Sequence, residues 1–151
     1  EQELKENNML LGRTDVTGEG VEILMEDAKD TANSLNPSDQ IIHYDDIQLV
    51  INELKNAGAE AIEVNGQRLV STSAITCEGN IIKINGERVG SPFNIKAIGS
   101  QDMLYGALTR AGSIIDWIAR YGNTATVTKS DNVTIAKYSG TLGYEYLKED
   151  K

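Results

Sequence analysis

Two arginines offer the clearest opening for chemistry. Arg68 and Arg88 follow Asn-Gly pairs in matching segments, Ile62-Glu63-Val64-Asn65-Gly66-Gln67-Arg68-Leu69 and Ile82-Lys83-Ile84-Asn85-Gly86-Glu87-Arg88-Val89. A guanidinium is planar and permanently charged. Two of them on one sheet face would grip a carboxylate or phosphate through paired N–H donors. The same arginines could equally be solvated, or paired with Glu60, Glu63 or Glu87. Gly99-Ser100 stands before an apolar run at helical spacing. Unpaired N–H groups at such a helix start attract anions, while Ser100 alone would make an ordinary cap. Arg68, Arg88, Gly99 and Ser100 are therefore the candidate ligand-binding residues.

No catalytic or metal-binding set emerges beside them. His43 is the sole histidine, and no cysteine or second histidine stands at ligand spacing from it. In His43-Tyr44-Asp45-Asp46, capping of a following helix explains Asp45 and Asp46 more simply than a metal does. A hydrolase built on His43 and nearby acids is the weakest of the functional readings. Glu19, Glu22, Glu26, Asp27 and Asp30 lack the spacing of a calcium loop and read as a solvated acidic edge. Gly18-Glu19-Gly20 lacks the lysine and helix of a phosphate loop. Cys77 reads as a small buried hydrophobe in a strand, and Trp117, at helical spacing with Ile114 and Ile118, as core. Asn132-Val133-Thr134 is a glycosylation sequon, which matters only in a secreted eukaryotic protein. No cofactor is expected.

The elements that would position these residues follow from periodicity. Val21–Glu26 reads as the first strand and 27–40 as a long mobile loop. Ile47, Val50, Ile51 and Leu54 give one apolar face to a helix over 45–56, which Gly58 stops. Residues 60–65 alternate as a strand and turn back at Asn65-Gly66, with 68–72 returning. Residues 73–77 and 80–85 form the next hairpin, and Asn85-Gly86 turns again before Ser91-Pro92 breaks the run. Phe93–Ile98 is a strand. Met103, Leu104, Ala107 and Leu108 stripe a second helix, and Gly112 marks a break or a close contact in its continuation to Tyr121. Residues 125–129 and 133–138 read as a last hairpin about Ser130-Asp131-Asn132. Without its extra hairpins, this order leaves a split β-α-β pattern. The fold class is α+β, ferredoxin-like, with two helices on one face of a mostly antiparallel sheet.

Composition bounds the function. The chain has 151 residues, 40% apolar and 25% charged, with net charge −9, which fits one folded domain. The basic residues are scattered, which argues against nucleic acid and against anionic bilayers. One cysteine excludes an internal disulfide. Residues 1–11 are helix-compatible, with Leu4 and Leu11 at heptad spacing; they read as the end of a helical or coiled-coil linker. Residues 12–146 make one domain and 147–151 a polar tail. The start at Glu1, within a Glu-rich string, suggests a piece of a longer protein.

Several blocks together carry a family resemblance. Asp46-Ile47 with Asn52-Glu53-Leu54, Ala57-Gly58-Ala59-Glu60-Ala61-Ile62, Asn65-Gly66-Gln67-Arg68, and Ser91-Pro92-Phe93 with Ile95 and Ala97-Ile98-Gly99 resemble the bacterial domain of unknown function 881. The resemblance covers about residues 12–146, and Gly18-Glu19-Gly20-Val21 is similar to that family's opening Gly-x-Gly-Val strand. It implies a protein of Gram-positive bacteria, often encoded beside cell-division genes. Such proteins carry an N-terminal membrane helix, a coiled coil and then this domain outside the membrane. It implies no catalytic residue. On this basis the expectation is a non-enzymatic interaction domain of a membrane-anchored, single-pass division or envelope protein. Its partner would be a protein, with a homodimer through the upstream coiled coil also open. The rival expectation is a small-ligand or anion sensor using Arg68 and Arg88.

Overall fold

The structure is a computed structural model and describes residues 1–29 and 41–150; most of the expected 27–40 loop lies outside the described residues. In chain order the elements are α1 (Gln2–Leu11), β1 (Val16–Glu26), α2 (Tyr44–Asn56), β2 (Ala61–Val64), β3 (Gln67–Arg68), β4 (Ile75–Glu78), β5 (Ile81–Ile84), β6 (Glu87–Val89), β7 (Phe93–Ile98), α3 (Gln101–Thr109), α4 (Ile114–Arg120) and β8 (Thr124–Ile135). The fold is mixed α+β. Its main sheet runs β3-β2-β7-β1-β8 with antiparallel neighbours throughout, and β4-β5-β6 form a separate antiparallel sheet.

Alternation along the strands decides what each sheet face does. Val21, Ile23 and Met25 of β1, Phe93, Ile95 and Ala97 of β7, and Ile62 and Val64 of β2 point to one side. There they join Ile47, Val50, Ile51 and Leu54 of α2, Leu104 and Leu108 of α3, and Ile115 and Ile118 of α4 in one core. Ile82 and Ile84 extend this core under the small sheet. On the other side Ile98, Val133 and Ile135 form a smaller cluster with Val16 and Ala61, beside exposed Glu22, Thr126 and Thr128.

Several local signals act as their chemistry requires. At the end of α2 the Ala59 N–H bonds to the Leu54 carbonyl at 2.9 Å and the Gly58 N–H to that of Lys55 at 3.1 Å, closing the last turn. Both Asn-Gly pairs adopt positive φ at both positions: 47° and 83° at Asn65-Gly66, 56° and 78° at Asn85-Gly86. This is the type I′ geometry whose twist suits a tight hairpin. Each asparagine also fastens its turn to a neighbour. Asn65 Nδ2 donates to the carbonyls of Gly90 and Pro92, and its Oδ1 accepts from the Asn94 N–H at 2.6 Å. Asn85 Nδ2 donates to the Arg68 carbonyl at 2.9 Å, which holds the small sheet against the main one.

Four expectations are corrected. The last hairpin is a single strand, β8, paired with β1 along its length. Its register shifts between Gly18↔Val133 and Gly20↔Ser130, so Asp131 and Asn132 together oppose Glu19. Ser130-Asp131-Asn132 is a bulge with turn-type residues, and the extra residue transfers Val133 and Ile135 to the far face. The first strand begins at Val16, five residues before Val21. Cys77 is exposed, because β4 is an edge strand of the small sheet. Trp117 is 52% exposed, because the short α4 turns Ile115 and Ile118 inward and leaves Trp117 on its outer side.

Candidate functional site

Arg68 lies in the two-residue strand β3, opposite Glu63 of β2. Because β3 is at the sheet edge, the side chain reaches past the sheet towards α1. Only 3% of Arg68 is exposed. Its Nη1 donates to the Thr14 carbonyl at 3.1 Å and to that of Ala136 at 3.4 Å, and its Nη2 to that of Met9 at 3.0 Å. The planar fork suits three separated carbonyl acceptors as a point-charge ammonium would not. Met9 lies in the last turn of α1, where helix carbonyls carry partial negative charge. One guanidinium thus joins the end of α1, the entry to β1 and the exit from β8.

The charge is balanced along the sheet. Arg68, Glu63, Lys96 and Glu22 stand opposite one another across β3, β2, β7 and β1, with alternating sign. Lys96 Nζ lies 4.0 Å from Glu63 Oε2. Burial lowers the Arg68 pKa from its ordinary value, and Glu63 and Asp15 push it back up; an arginine stays charged under such a shift.

Between α1 and the sheet's second face lies a half-open cavity of ≈ 290 Å³. Met9 and Leu10 bound it on the helix side and Val16, Ala61 and Ile98 on the sheet side, with Arg68 in its wall and Glu6 and Glu60 also lining it. Arg68 Nε is buried and has no hydrogen-bond partner among the described residues. None of the residues of α1 is buried; Leu4, Leu10 and Leu11 are largely exposed. The helix is held at its C-terminal end and stands clear of the core.

The other candidates fall elsewhere. Arg88 is exposed on β6, opposite Lys83 in the small sheet, so the two arginines share neither a sheet nor a face. The paired-arginine clamp is replaced by a buried arginine and a surface one. The repeated Asn-Gly-x-Arg segments share turn chemistry, but they enter different sheets. At the start of α3, Ser100 Oγ accepts from the Met103 N–H at 3.3 Å, and the Gln101 N–H donates to Glu19 Oε2 at 3.0 Å. The Gly99 N–H bonds to the Glu19 carbonyl at 3.0 Å. The chain supplies its own carboxylate where an external anion was considered.

His43 is the N-cap of α2, and its N–H donates to Asp46 Oδ2 at 2.9 Å. Burial raises the Asp46 pKa above its ordinary value, against the lowering effect of that hydrogen bond. His43, Asp46, Trp117, Ile118, Tyr121 and Asn123 line a recess together with Ile41. Among the described residues that line it there is no serine, threonine or cysteine for a histidine to activate. Among the described residues no group of three or more His, Cys, Asp or Glu is placed to hold a metal, and no helix is long and apolar enough to cross a membrane. The groove under α1 and this recess escaped sequence reasoning. Met9 and Leu10 gave no stripe strong enough to point to the groove, and an outward tryptophan on a short helix looks like core.

Comparison with known proteins places these features in a family. The profile described as a bacterial protein of unknown function (DUF881) matches residues 3–148. The chain is similar to UPF0749 protein YlxW of Bacillus subtilis, with 36% identity over 132 residues, covering 87% of this chain and 57% of that protein. It is 28% identical over 149 residues to UPF0749 protein Rv1825 of Mycobacterium tuberculosis, covering 95% of this chain and 47% of that one. The chain therefore spans about half the length of these relatives. A crystal structure of an uncharacterized conserved protein from Mycobacterium tuberculosis superposes with a TM-score of 0.78 at 24% identity, over 98% of this chain and 99% of that one, a likeness of fold.

Proposed function

We propose, from the premise that this chain belongs to the bacterial DUF881 family, that it is a non-enzymatic interaction domain of a membrane-anchored envelope or cell-division protein, held outside the cytoplasm. The observation that carries this reading is the clamp. A buried guanidinium fixes the end of a helix whose own side chains are left exposed. An element tied down at one end while contributing little to the core is suited to carry the domain at a set angle and to meet another protein. In this reading α1 is the end of a coiled-coil linker, and a second copy of the chain is one partner it would meet. The strand order β2-β7-β1-β8, with helices between β1 and β2 and between β7 and β8, supports taking the core as a split β-α-β, ferredoxin-like arrangement.

The location is tested with the full-length protein in its own bacterium. External protease added to protoplasts should remove the domain while a cytoplasmic marker survives. Protection of the domain until the membrane is lysed would contradict the reading.

A second reading, a small-ligand sensor, is favoured by the groove. Its volume approaches the lower end of small-molecule sites, about 300 Å³, and Arg68 Nε has no partner among the described residues. Glu6 and Glu60 make an anion a poor fit; a mostly apolar molecule with one hydrogen-bond acceptor suits it better. A ligand of that kind should raise the melting temperature by mass action. Arg88→Ala should leave the rise intact, since Arg88 lies in the small sheet and does not line the groove.

A further inference from the structure

Trp117 is the chain's only tryptophan. Its ring stands on the surface of α4, edge-on to Tyr121 with centroids 5.4 Å apart. Both residues line the recess of ≈ 120 Å³ that His43, Asp46 and Asn123 also line. An exposed tryptophan is costly to leave in water and is over-represented among residues that dominate protein interfaces. Here two aromatic rings, whose faces attract cations, border the same small space as a carboxylate. The α4 cation Arg120 is tied to Asp116 at 3.0 Å.

Size and charge select the occupant. The recess holds roughly four water volumes and is well below the ~300 Å³ of ordinary small-molecule sites. That suits the head of one side chain. The chain's net charge of −9 favours a positive one. We propose that the Trp117–Tyr121–Asp46 recess is a socket for a single arginine or lysine side chain on the surface of a protein partner. The cation stacks on the aromatic rings and hydrogen-bonds to Asp46. The proposal rests on the interaction-domain reading and supplies the chemistry of the partner.

The single tryptophan makes the test direct. The purified domain is titrated with acetyl-Gly-Gly-Arg-Gly-Gly-amide at constant ionic strength, and Trp117 emission and its indole N–H resonance are followed. The expected result is a saturable change with a dissociation constant of about a few millimolar. It should be absent with the glutamine counterpart and about tenfold weaker in Asp46→Asn, since a charge-assisted hydrogen bond contributes on the order of one decade, and roughly two- to fivefold weaker in Tyr121→Ala, which removes one stacking ring. Asparagine can still accept from the His43 N–H, and circular dichroism confirms folding. If Asp46→Asn fails to fold, Tyr121→Ala, whose ring is exposed, carries the test. An equal response to the glutamine peptide, no saturable response to the arginine peptide, unchanged binding by both folded variants, or binding of tetramethylammonium alone would each overturn the proposal. Such a failure would leave the interaction reading itself untouched, because that is probed separately in cells.

Discussion

Arg68→Met destabilises the domain by about 3–5 kcal/mol, the range for removing one partner from a buried charged network. The carbonyls of Met9, Thr14 and Ala136 lose their shared donor, and the buried Glu63 loses the cation opposite it. Methionine retains the apolar stem, so the loss isolates the guanidinium. Out of a typical total of 5–15 kcal/mol this is a large fraction. Arg68→Lys recovers little of it, since one ammonium cannot reach three carbonyls in the geometry of a fork. The effect is also local in a telling way. Amide hydrogen exchange in α1 should approach that of an unstructured segment, while the β1–β7 ladder stays protected. Urea unfolding and exchange by mass spectrometry measure both. A loss below about 1 kcal/mol with α1 still protected would show that the clamp is incidental. Arg88→Ala, on the surface, should stay within about 0.5 kcal/mol of the parent.

Gly20→Ala is expected to be worse still, with a cost above about 4 kcal/mol, in the exceptional range for a single substitution. A Cβ at this position would lie 1.8 Å from the Ala97 carbonyl oxygen, 2.8 Å from its carbon and 3.0 Å from the Ile98 Cα. These are backbone atoms of β7, so relief requires the central β1–β7 pair to part. Gly20 is thus in the sequence because two strands cross closely beside the bulge, and Gly18-Glu19-Gly20 is a packing device, with no phosphate in view. Gly106→Ala is the control. It lies inside α3 with nothing within 4 Å of its ideal Cβ, so helix propensity alone should stabilise it by about 1 kcal/mol. Soluble yield and urea midpoints of the two variants should move in opposite directions.

Much of the fold was legible because local chemistry and tertiary structure agree. The stripe Ile47, Val50, Ile51 and Leu54, the stop at Gly58, the two Asn-Gly turns and the Ser100 cap each act within a few residues, and pattern reading captures that range. The failures share a different cause. Whether Ser130-Asp131-Asn132 reverses the chain or bulges depends on β1, more than a hundred residues away, where one residue opposes two. In the sequence Arg68 reads as a ligand-gripping, solvated or glutamate-paired arginine, because its three acceptors lie 54, 59 and 68 residues distant. The apolar run through Trp117 gave no sign that α4 would be seven residues long and expose its largest side chain. Cys77 alternated correctly for a strand, but alternation does not say that the strand is an edge.

Photo-crosslinking in growing cells tests the interaction reading most directly. Benzoylphenylalanine replaces Leu10 on α1, or Tyr121 beside the recess, in the full-length protein at its native level. The account predicts discrete adducts from both positions, with a second copy or another envelope protein as the captured component. No adduct from either position in a normally abundant protein, or adducts with cytoplasmic proteins alone, would contradict it.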